Sequence, residues 1–174
     1  MLPRRPRWKE FDYTGKHRYF LTFCTRKRRA VFTQPDVVAT TWSQILRTAG
    51  ETSFNVIAHV FMPDHIHLLV EGTTTECDLL RFVSLAKQRA AYTFGQQHDQ
   101  RLWQPSFYDH VLRDEESSLP FIRYIIENPL RSGLVDRIED YPFLGTGAVP
   151  VSEMVRMLDE AGVPVWRPTP NRDV

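Results

Sequence analysis

Residues 62–69, Met-Pro-Asp-His-Ile-His-Leu-Leu, set two histidines one residue apart inside an apolar run. In a strand, side chains two apart share a face, so His65 and His67 point together while Ile66 and Leu68 point the other way. Their imidazoles, about 6–7 Å apart along such a strand, can converge on one divalent ion. A pair of core histidines satisfied by backbone carbonyls has the same spacing. Two ligands do not complete a metal site, and no cysteine pair accompanies them, which argues against a zinc finger.

Tyr124 and Asn128 offer the missing chemistry. They stand four apart in Ser117–Pro129 (SSLPFIRYIIENP) and share a face if that stretch is helical. Asn128 can give its carbonyl oxygen to a hard cation such as Mg2+ or Mn2+. Tyr124, one turn away, has a phenol that can act as a covalent nucleophile. Beside a Lewis-acidic ion that polarises a phosphate, the implied reaction is phosphoryl transfer through a phosphotyrosine. Without the histidines, Tyr124 reads as an amphipathic aromatic at a helix–sheet boundary.

These residues need elements to carry them. His17–Thr25 alternates as a strand, and the turn-like TRKRR follows it. Gln34–Thr48 opens with a proline in its first turn and repeats apolar residues at helical spacing. Residues 54–62 and 65–72 read as two strands joined antiparallel by a tight turn at Pro63-Asp64. A helix over about 76–98, a strand over 107–113 and a helix from Ser117 or Ser118 follow. That last helix must stop near Asn128, because a proline disfavours helix in the residue before it. The order βαββαβ plus a further helix predicts an α+β, ferredoxin-like (split βαβ) antiparallel sheet. Its helices lie on one face, its histidine strand is central, and it carries an extra C-terminal helix. Beyond Tyr141 the chain is weakly patterned, apart from a short helix expected in residues 152–162.

Composition fits a globular domain: 42% hydrophobic, 25% charged, 12% aromatic. No apolar run reaches the ~18 residues needed to span a bilayer. The basic N-terminus lacks the apolar core of a secretory signal. Cys24 and Cys77 fit no disulfide framework and read as reduced thiols of a cytoplasmic protein. The net charge is +1, yet residues 1–31 carry +8, which leaves −7 for the rest. Such asymmetry fits a polyanion contact near the N-terminus and equally a solvated basic tail.

Set in order, YFLTFCTRKRRAVF, AHVFMPDHIHLLVE, LWQ, FYDH, YIxxNPxRxGLV and DYPF run from about residue 18 to residue 143. As an ordered set they make the chain resemble the REP-associated tyrosine transposases, within the one-tyrosine HUH transposases. The resemblance implies a ferredoxin-like palm with the HUH strand (histidine, hydrophobic residue, histidine) at its centre. It implies His65 and His67 as metal ligands and Asn128 as the residue that completes the site around Mg2+ or Mn2+. It implies Tyr124 as the nucleophile that attacks a single-stranded DNA phosphate, forming a 5′-phosphotyrosine and freeing a 3′-hydroxyl. The implied substrate is a hairpin-forming repetitive extragenic palindrome or its short flank. The implied division is a basic arm over 1–16, a catalytic domain over 17–148 and an extension over 149–174. A monomer working at the nucleoid is expected.

Other residues take lesser parts. His59 stands where relatives usually carry an aromatic residue, and Asp64 where asparagine is common; with His110 they are candidates to support the ligands, the alternatives being packing for His59, a plain turn residue for Asp64 and a satisfied strand histidine for His110. Arg4, Arg5, Arg7, Arg26, Lys27, Arg28, Arg29 and Lys87 are candidate phosphate contacts. Trp8 and Trp103 are candidates for base stacking, with a core role open for Trp103. The extension can bind DNA, cover the active site or hang loose. An HUH replication initiator, an inactive hairpin-binding protein and a small structural metalloprotein are the alternatives. The initiators generally carry further domains, and mere binding requires none of His65, His67, Tyr124 and Asn128.

Overall fold

A computed structural model describes residues 11–147 and 149–167. Five strands form one sheet: β1 (Arg18–Cys24), β2 (Phe54–Met62), β3 (His65–Gly72), β4 (Tyr108–Leu112) and β5 (Leu144–Thr146). Their order is β4-β1-β3-β2-β5, with every neighbouring pair antiparallel. The first four strands, with α1 (Pro35–Glu51) and α2 (Leu79–His98), make the expected split βαβ unit. β3 sits at the centre, so both its edges are paired. Apolar side chains of β1 and β3 are buried on both faces, as their near-continuous hydrophobic runs require.

Alternation along β1 and β3 divides the core in two. Leu21, Phe23, Ile66, Leu68 and Val70 meet Val37 and Ile45 of α1 and Phe82 and Ala86 of α2. Phe20 and Leu69 face the opposite way, towards α3 (Leu119–Ile126) and α5 (Val151–Glu160). Thus α1 and α2 share one face as expected, and the extra helix covers the other, the face on which His65 and His67 lie. The helix stop near Asn128 is also present. α3 ends at Ile126, and a single turn, α4 (Asn128–Arg131), restarts with Pro129 in its first positions, where the missing N–H costs nothing.

β5 is not legible in its own weakly patterned sequence; it forms because β2 offers an open edge. Gly145 pairs with His59 there, and a Cβ at Gly145 would stand 2.7 Å from His59 Cε1. Glycine therefore makes room for the imidazole, which stacks on Trp42 of α1 with centroids 3.8 Å apart. His59 lies opposite Leu68 in the ladder, on the α1 face. It cannot support the histidine pair, which points to the other side of the sheet. Its role is packing.

Burial holds the His59 imidazole down at a pKa of about 4. The folded chain therefore binds that proton less readily than the unfolded one. Stability from this site is complete above about pH 6.5 and is lost as pH falls towards 4. His59→Phe keeps a flat ring on Trp42 without the titration. Between pH 7 and pH 4.5 the parent should lose about 2 kcal/mol more than the variant, read from urea midpoints at each pH. Identical pH profiles would refute this account of His59.

The ends correct the expected boundaries. Tyr13 is buried, its carbonyl accepts from Leu79 N, and Gly15 N donates to Cys77 O, so residues 11–16 belong to the domain rather than to a loose arm. Arg4, Arg5, Arg7 and Trp8 lie outside the described residues. At the other end, Met154 and Leu158 of α5 are buried against the α3 side of the core. Cys24 and Cys77 are both free and buried. Among the described residues no helix is long and apolar enough to cross a membrane.

Candidate active site

The tight turn before His65 is clamped from the loop after β1. Thr25 donates to Asp64 O from both N (3.0 Å) and Oγ1 (3.0 Å), and Phe32 N donates to Pro63 O. With the turn fixed, the β1–β3 register places Thr22 opposite His67 and Cys24 opposite His65. Each histidine then has its Nδ1 engaged: His67 with Thr22 Oγ1 at 2.8 Å, His65 with Asp64 Oδ1 at 2.6 Å. Arg28 Nε pairs with the other Asp64 oxygen at 2.8 Å. A carboxylate only accepts, so His65 Nδ1 carries the proton and its Nε2 keeps a lone pair. The two Nε2 atoms stand 3.2 Å apart.

That spacing answers whether the pair fits an ion. Two nitrogens bound side by side at about 2.1 Å from one ion lie ~3 Å apart. Both imidazoles are also biased towards the neutral form that ligation requires. Burial, then the charge of His65 and of Arg131 and Arg28, holds His67 well below the usual histidine range. Burial lowers His65 as well, against the opposing pull of Asp64. Among the described residues no further histidine, cysteine or carboxylate joins them in a group able to hold a metal. Asn128 is buried, 7% exposed, and carries an amide oxygen of the kind a hard cation accepts.

Asp64 thus holds His65 from behind. Asp64→Ala should weaken Mn2+ binding about 10–100-fold, measured by calorimetric titration of the protein alone. An unchanged affinity would show that the carboxylate only braces the turn.

α3 delivers Tyr124 to the same spot. Its ring lies 5.4 Å from the His67 ring and 5.6 Å from Phe20, which itself stacks on His67. Arg131 covers the phenol ring at 4.3 Å and donates to Tyr124 O. Trp166, past α5, meets Tyr124 edge-on at 5.3 Å and packs on Phe121 at 4.7 Å. The expected members His65, His67 and Tyr124 come together. Arg131 and Trp166 were missed. Arg131 had a signal in the spacing 124, 128, 131, which repeats one helical face; Trp166 had none.

Other candidates separate. His110 lies opposite Phe20 on the correct face, but its Nε2 meets Glu116 at 3.2 Å and its ring stacks on Phe121. It supports α3 rather than a ligand. Lys87 Nζ donates to the carbonyls of Gln104 (3.0 Å) and Ser106 (3.1 Å), and burial lowers its pKa to about 8. Its charge is spent inside the fold, so it is not a phosphate contact. Trp103 is buried and donates to Lys87 O, a core role. Arg28 is committed to Asp64 and Cys24 Sγ, while Arg26 and Lys27 are exposed beside the half-buried Arg29.

Comparison with known proteins adds an independent line. A family model described as "Transposase IS200 like" matches residues 13–128. An Escherichia coli K12 protein named REP-associated tyrosine transposase is 27% identical over 130 residues, 72% of this chain and 73% of that protein. A Haemophilus influenzae protein provisionally given the same name is 24% identical over 143 residues, 76% of this chain and 81% of its own. The solved structure of a REP-associated tyrosine transposase bound to a REP hairpin superposes with a TM-score of 0.67 at 23% identity, covering 80% of this chain and 82% of that one.

Proposed function

The chain belongs to the IS200-like transposase family, and from that premise we propose that it is a metal-dependent endonuclease and strand transferase of the HUH type. Its substrate is single-stranded DNA that folds into hairpins at repetitive extragenic palindromes. The relatives named for REP elements support that choice of substrate. One observation carries the chemistry: two Nε2 atoms converge at 3.2 Å, and the Tyr124 ring centre lies 5.4 Å from that of His67.

His65 and His67, with the amide oxygen of Asn128, are the residues to hold Mg2+ or Mn2+. Bound there, the ion supplies Lewis-acid polarisation of the scissile phosphate. Imidazole donors suit Mn2+ better than Mg2+, which prefers an all-oxygen shell. The Tyr124 oxygen attacks phosphorus; its O–P bond forms as the bond to O3′ breaks. The phenolic proton is lost to solvent, and the departing strand leaves with a 3′-hydroxyl. Attack by a 3′-hydroxyl on the phosphotyrosine reverses these bond changes and joins strands. Arg131, over the Tyr124 ring, brings positive charge to where the phosphate must sit. Tyrosine and histidines come from one chain, so a monomer suffices.

The test is incubation of the protein with labelled hairpin-bearing single-stranded DNA and Mn2+, followed by denaturing gels. A covalent protein–DNA band and a freed 3′ end are expected. Equal cleavage of fully duplex DNA would contradict the reading.

A further inference from the structure

Thr22 interrupts the hydrophobic run Tyr19–Cys24 (YFLTFC) of β1. It is 2% exposed in a strand paired along both edges, by β3 and by β4. A hydroxyl taken out of water costs free energy unless it is hydrogen-bonded. Valine has the same branched shape without that cost and suits a strand equally well. Packing alone therefore gives no reason for the oxygen. Its reason is a bond: Oγ1 lies 2.8 Å from His67 Nδ1.

The ladder makes that bond. Thr22 is the direct partner of His67 in the β1–β3 register, so the two side chains leave the sheet side by side on one face. Phe20 stacks on the imidazole with centroids 5.2 Å apart and restrains its tilt. Stacking does not choose between the two ring orientations half a turn apart, which present the same flat face. The oxygen does. Only one of them puts Nδ1 against Thr22, and that one directs Nε2 to His65 Nε2, 3.2 Å away. The same bond suits the proton that ligation requires. An imidazole bound through Nε2 carries its proton on Nδ1, where Thr22 Oγ1 accepts it. His65 has a carboxylate in this place. His67, 3% exposed, has a neutral oxygen, which spares the interior a buried carboxylate.

We propose that Thr22 is a positioning residue of the metal site, whose hydroxyl selects the His67 ring orientation and holds the Nδ1 proton so that the Nε2 lone pair faces the ion. This rests on the reading of His65 and His67 as ligands of Mn2+. The two histidines are then oriented from different elements: His65 from its own turn through Asp64, His67 from β1 through Thr22.

The experiment titrates the full chain with MnCl2 by calorimetry. Thr22→Val should bind Mn2+ about 10–100-fold more weakly, the scale of losing a group that orients a ligand. Thr22→Ser keeps the oxygen and should recover most of that affinity. Thr22→Ala differs from Thr22→Ser by one oxygen and should bind as weakly as Thr22→Val; that pair carries the comparison if the valine variant does not fold. Thr41→Val removes an equally buried hydroxyl from α1 and should leave the affinity at the parental value. In cleavage of hairpin-bearing single-stranded DNA, Thr22→Val should need more Mn2+ by the same factor for half-maximal rate. Once saturated with the ion it should reach the parental rate. Parental affinity in Thr22→Val, or an equal loss in Thr22→Val and Thr22→Ser, would overturn the role of the oxygen. If the parent binds no Mn2+, the metal reading falls and this role with it. If the parent binds Mn2+ and Thr22→Val matches it, only the role of Thr22 falls.

Discussion

Tyr124→Phe should abolish the covalent protein–DNA band and lower cleavage about a thousandfold or more, the scale of losing a nucleophile. The fold should be untouched. Phenylalanine keeps the ring between His67, Phe20 and Trp166 and beneath Arg131. Hairpin affinity should also hold, because the phenol bears on the bond-making step. The informative measurement pairs an adduct gel with a urea midpoint on the same preparation. A band of parental yield from the variant would move the nucleophile elsewhere. Tyr108 and Tyr141 would come next, although Tyr141 donates its hydroxyl to Phe61 O at 2.6 Å and burial raises its pKa to about 12.

The second large effect separates two residues with one proposed task. His65→Ala and His67→Ala should each weaken Mn2+ binding at least about 100-fold and lower cleavage accordingly. Their costs in stability should differ. His67 is 3% exposed, and its loss leaves a cavity and a buried Thr22 hydroxyl without its 2.8 Å partner, about 2–3 kcal/mol. His65 keeps more of its side chain open to solvent, 15%, and its removal leaves Asp64 still paired to Arg28, so the loss should be smaller, about 1 kcal/mol. Calorimetric Mn2+ titration and urea melts together test this. Full ion affinity in His65→Ala would dismiss the histidine pair as a metal site, whatever the activity.

The correction at His59 is instructive because its answer was already in the sequence. A two-residue turn at Pro63-Asp64 pairs Met62 with His65 and Val60 with His67, which leaves His59 opposite Leu68 on the far face. Period-2 alternation decides it, and the bulge between Val56 and Ala58 lies too early in β2 to alter the count. Lys87 is a different case. A lysine on a helix reads as solvated charge, and only the return of residues 104–106 across it reveals three carbonyls to bond. Arg28 likewise reads as one more cation in TRKRR until the turn folds Asp64 against it.

Local pattern determined what depends on neighbours in sequence. Strand alternation put His65 and His67 on one face; helical spacing put Tyr124 four residues from Asn128; a proline stopped the helix near Asn128. These are periodicities of the backbone, so a short window contains them. Tertiary structure decided which faces meet. It laid α3, not α1, over the histidine face, recruited a three-residue strand whose glycine admits His59, and brought Trp166 against Tyr124. Those outcomes turn on burial and contact between segments distant along the chain, which no local repeat encodes.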